Sequence, residues 1–149
     1  MTGQERVQLR DSLERLAEHD GGRRLLQLAL RGIESGDHEL VSGCWTLRGD
    51  AGCLFQHAYW QGVSDGVFAE DGRARAWVSG VAGPHAYHRV IDVIAAFDRL
   101  ARAEFAIRRR RLGPPVLDRR RWRAEVIRLL VQVLGGAGAA HPSEPLATV

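Results

Sequence analysis

From His85 to Val133 the apolar residues recur at intervals of three and four, and that period constrains this chain more than any other feature. Val90, Ile94, Phe97, Ala101 and Phe105 form one stripe; Trp122, Val126, Leu129 and Val133 form another. Only an α-helix brings residues at that spacing onto one face. Between the stripes stands Gly113-Pro114-Pro115. Proline has no amide proton and pushes its predecessor out of the helical region, so the helix must break there. The pattern predicts one helix from about His85 to Arg111 and another capped by Asp118 and ended by Gly135-Gly136. Asp98–Arg102 and Glu104–Arg108 are helix-favouring pairs four residues apart.

The first 36 residues repeat the logic at shorter length. Thr2 and Glu5 match a capping box, and Leu9, Leu13 and Leu16 follow at helical spacing. Asp20-Gly21-Gly22 is expected to end that helix. A second helix, about Arg23 to Glu34, carries Leu26, Leu30 and Ile33 on one face and stops at Ser35-Gly36-Asp37.

Residues 37–84 follow no single period. They are rich in glycine and hold both cysteines and three of the four tryptophans. One reading is a short helix through Cys53–Gln61, capped by Asp50 and ended by Gly62. Another is a hairpin on Arg48-Gly49, which sets Cys44 opposite Cys53. Phe68 to Val78 alternates around Asp71-Gly72, which predicts a β-hairpin over 67–78. The expected fold is therefore mainly α, a bundle of four to five helices with a small irregular or β-hairpin insertion around residues 37–84. The helical domain spans 1–134, and 135–149 reads as a flexible tail with little to bury.

The chain has 149 residues, 45% hydrophobic and 26% charged, enough for one domain with one core. It has no apolar run of membrane-spanning length, and its first ten residues lack the apolar centre of a signal peptide. The expected location is cytoplasmic. All 21 basic residues are arginine. The absence of lysine points to a GC-rich bacterial genome and accounts for part of the arginine excess.

Two clusters carry candidate chemistry. Cys53 and His57 are four residues apart, on one face of the expected helix. With Cys44, and with His85 or His88 from the start of the long helix, they make a possible tetrahedral zinc site. His38 is a weaker fourth ligand. The spacing lacks any Cys-x-x-Cys pair, so two other readings stand beside it. Buried cysteines act as small apolar residues, and His57 then sits hydrogen-bonded in the core. Alternatively Cys53, in the first turn of a helix, is a thiolate-prone sensor or nucleophile with His57 or His88 as base. A permanent disulfide does not suit a reducing compartment.

The second cluster is basic. Residues 1–84 carry a net −3 and residues 85–149 a net +6. Within 108–123 stand Arg108, Arg109, Arg110, Arg111, Arg119, Arg120, Arg121 and Arg123, against one acid, Asp118. Guanidinium forks match phosphate and carboxylate oxygens, so nucleic acid or an acidic protein surface is the expected partner. Trp122 reads as a core residue first and a base-stacking residue second. P-loop, dinucleotide and nucleophile-elbow motifs are lacking, and no enzyme class is indicated. The expected function is a small binding or regulatory protein with a Cys/His metal site and an arginine-rich contact surface. A Cys53-based sensor or enzyme, and a plain protein-interaction module, are the alternatives.

Overall fold

The two long apolar stripes are helices in the computed structural model. The structure describes residues 3–41, 46–47, 51–66, 74–112 and 119–140, with backbone alone at 46–47, 51, 105–112, 119 and 137–140. Six helices lie among them: α1 (Gly3–Ala17), α2 (Asp20–Ser35), α3 (Leu54–Ser64), α4 (Ala74–Ala82), α5 (Tyr87–Leu112) and α6 (Arg119–Ala140). The fold is mainly α, with more helices than the four or five expected. Val90 and Phe97 of α5, and Trp122, Val126, Leu129 and Val133 of α6, are buried as their spacing requires.

The helix α2 is central. It packs on α3 most extensively and also on α6, α4 and α1, while α1 lies along α5. Its buried face runs through Leu25, Leu26, Leu28, Ala29 and Ile33. Opposite it, α3 contributes Leu54, Phe55 and Ala58. The two helices cross closely at Gly32, where an added Cβ would stand 2.5 Å from the carbonyl oxygen of His57. Beside this crossing Arg31 bridges to Asp65 at the end of α3, which also accepts a hydrogen bond from Gln61 at 2.8 Å. On the other side Glu125 of α6 takes Arg6 of α1 and Arg128, each at 3.0 Å.

Several sequence expectations change. Asp20-Gly21-Gly22 does not end the first helix; it forms the first turn of α2, and the break falls at Glu18-His19. The glycines are there for closeness: an added Cβ would stand 2.1 Å from Val81 O at Gly21 and 2.1 Å from Leu16 O at Gly22. Gly135-Gly136 does not end α6, which continues to Ala140. Neither glycine adopts the left-handed conformation that terminates α2 at Gly36, with φ 73°.

The hairpin expected over 67–78 is overturned in its second half, since Ala74–Val78 begins α4; residues 67–73 lie outside the described residues. Trp77 and Val78 are both buried, as neighbours on a helix can be. Three two-residue strands, β1 (Glu39–Leu40), β2 (Thr46–Leu47) and β3 (Ala51–Gly52), pair in the order β1-β3-β2. Thr46 opposes Gly52 and Leu47 opposes Ala51. That register is displaced by one residue from a two-residue turn at Arg48-Gly49, and a one-residue displacement reverses which face each side chain takes. Cys44, Asp50 and Thr2 lie outside the described residues. Among the described residues no helix is long and apolar enough to cross a membrane.

Candidate functional site

Cys53 is the N-cap of α3 and has extended backbone (φ −75°, ψ 178°). Its carbonyl oxygen accepts the first intrahelical hydrogen bond, from the His57 amide at 3.1 Å. The same oxygen lies 2.9 Å from His57 Nδ1. The four-residue spacing thus does place Cys53 and His57 together, but through a backbone oxygen.

His57 is 1% exposed, against α2 at Gly32. Its other ring nitrogen, Nε2, lies 3.3 Å from the carbonyl oxygen of His38, just before β1. A neutral imidazole has one N–H and donates to one acceptor. The pKa of His57 is held below the ordinary 6.5, chiefly because burial penalises the charged ring. The two carbonyls oppose this by favouring the cation, while electrostatic interaction with His38 and with the Arg123 guanidinium adds to the depression.

Around this ring stand two aromatics. Trp60, one turn further along α3, meets the His57 ring edge-on with centroids 5.3 Å apart. His38 stacks on Trp60 at 3.9 Å and 22°. The cluster joins the segment after α2 to the first turns of α3. Beside it Gln56 is 4% exposed, and its Oε1 has no hydrogen-bond partner among the described residues.

The expected zinc site does not assemble among the described residues. A ligating imidazole must direct a free lone pair at the metal. Both His57 nitrogens face backbone carbonyl oxygens, Nδ1 that of Cys53 and Nε2 that of His38. His85, in the turn before α5, and His88, in its first turn, are both exposed, far from the burial of His57. Among the described residues no group of three or more His, Cys, Asp and Glu side chains is arranged to hold a metal ion. Cys53 is 6% exposed, a poor position for a thiol that must meet an oxidant or substrate.

The arginine cluster divides into parts with different roles. Arg108, Arg109, Arg110 and Arg111 fall at the end of α5, and Arg119 opens α6. Arg120 and Arg121 are exposed. Arg123 turns back to the core: its Nε donates to Ile33 O at 2.9 Å and its Nη2 to Glu34 O at 3.0 Å. Trp122 is 3% exposed, with its ring 5.1 Å from Phe97. It is a core residue and offers no face to a base.

Sequence reasoning named His38 only as a spare ligand and gave Arg123 no structural part. The contacts of Arg123 span about 90 residues and leave no local signature. A polar cleft of about 380 Å³ is lined by residues of α1 and α5, but Asp11 and Asp92 balance Arg15 and Arg99 in its wall. Comparison with protein families, characterised proteins and solved structures gives no match.

Proposed function

We propose that this chain is a non-catalytic recognition protein whose arginine-rich end binds the phosphate backbone of nucleic acid. One observation carries the reading. The first turn of α6 holds Arg119, Arg120 and Arg121 and no acidic residue. Basic residues at the end of α5 complement the negative end of that helix's dipole, so they need no partner. Basic residues at the start of α6 oppose the positive end, at about 0.3–1 kcal/mol each. A bound anion reverses that penalty, and guanidinium forks fit phosphate oxygens in pairs.

With Trp122 buried, base stacking has no part, so contacts go to the backbone and sequence preference is weak. The test is fluorescence anisotropy of a labelled duplex between about 50 and 200 mM salt, where the slope of log affinity against log salt counts the phosphates contacted. Seven arginines, leaving out Arg123, set a limiting slope of about −6. Absence of duplex binding at the lowest salt refutes the reading. Binding to polyglutamate with none to duplex assigns the surface to an acidic protein instead.

A further inference from the structure

We infer that Arg123 does not face the partner: it is the pin that orients the basic end of α6 on the body of the molecule. The inference rests on the reading above for what the basic end does, and on contacts within the molecule for what Arg123 does. The last turn of α2 holds no basic residue, although its carbonyls and dipole favour one. Arg123 supplies that cation from 89 and 90 residues away, through two hydrogen bonds from one guanidinium. Ile33 O accepts from Arg123 and also from the Gly36 amide, at 3.2 Å, so the pin sits on the residue that closes the helix.

The neighbouring residue adds a second attachment. Trp122 points about 100° away around α6 and buries its ring against Phe97 of α5. Successive residues thus fasten the start of α6 to two different helices. Arg120 and Arg121, in the turn before, inherit their direction from that double attachment. One member of the arginine cluster is therefore committed inside the protein, and a charge count overstates the contact surface by one.

Three variants separate the roles, all checked for retained helicity: Arg123→Met, Arg120→Ala and Arg121→Ala. In Arg123→Met, amide exchange at Gly36 should quicken about tenfold, the scale of one lost charge-assisted hydrogen bond. Duplex affinity should fall several-fold with the salt slope unchanged. Arg120→Ala and Arg121→Ala should each flatten the slope by about 1 and leave exchange at Gly36 as it was. If Arg123→Met flattens the slope by about 1 without quickened exchange, Arg123 is a phosphate contact and the inference fails. Quickened exchange with unchanged duplex affinity also overturns it, since the cap then orients nothing that the duplex reads. If the wild type binds no duplex, the nucleic-acid reading falls, and exchange at Gly36 still decides whether Arg123 caps α2.

Discussion

Replacing Gly32 by alanine tests the close crossing of α2 and α3. The new Cβ would stand 2.5 Å from His57 O and 3.2 Å from His57 C, about 0.9 Å short of ordinary contact with the oxygen. Both obstructing atoms are backbone, so no rotamer change relieves the clash. The helices α2 and α3 must separate, and a gap of that size forfeits a quarter to a half of each van der Waals contact along the seam. Overpacking of this kind costs about 3 kcal/mol, the upper end of its range when backbone has to move. Alanine returns about 1 kcal/mol through helix propensity. The net loss is about 2 kcal/mol, or a fall in Tm of about 4–8 °C for a chain of this size. Gly80 is the control. It is exposed within α4, and an added Cβ meets nothing within 4 Å. Gly80→Ala should gain about 1 kcal/mol from propensity alone. Urea unfolding followed by circular dichroism compares the two. A Gly32→Ala protein as stable as wild type would refute the close crossing, whatever Gly80→Ala does.

His57 makes stability depend on pH. Its folded pKa is depressed below 6.5, so the unfolded chain binds the proton more readily. The contribution is complete above about pH 6.5 and is lost as pH falls through the folded value. His57→Phe should remove that part of the pH dependence in urea titrations from pH 8 to pH 5; an unchanged profile contradicts the assignment. In a Cys44→Ser background, Cys53 should react with a thiol reagent at least about tenfold more slowly in native buffer than in denaturant, because the thiol must be uncovered first; rapid native labelling would restore the sensor reading. Trp77→Ala should cost about 3–5 kcal/mol, since the ring is 8% exposed and packs on Gly62 and Tyr59; a loss under 1 kcal/mol would place that ring outside the core.

The helical frame was legible wherever an apolar stripe ran long enough to declare its period. Leu9, Leu13 and Leu16, and Trp122 to Val133, needed only their spacing to be assigned. The glycines were misread because their meaning lies across space. Gly21 resembles a helix stop in one dimension, yet what requires it is the backbone of Val81, sixty residues on. Ala74 to Val78 alternates like a strand, but Trp77 lies against Gly62 of α3, and a helix is what carries it there. The spacing of Cys53 and His57 correctly indicated proximity and misled about chemistry. An imidazole can donate its N–H to a carbonyl oxygen or give its lone pair to a metal, and no local pattern of residue types distinguishes the two. Arg123 was counted by its charge, while its role is set by a helix end that the chain completes 89 residues earlier.

That separation has a consequence during synthesis. A ribosome adding about 5–20 residues per second makes Arg123 roughly 5–18 s after Ile33. Throughout that interval the end of α2 lacks its distant cation, while α3 and α4 are made within it, ahead of α6, and can cover its apolar flank first. Assembly should then proceed in two stages: an early α2–α3–α4 kernel, and a late docking of α6 that completes the helix end made long before. An arrest placed between residues 90 and 118 should yield a nascent chain whose first half is protected from protease while the turn at Gly36 is still cut.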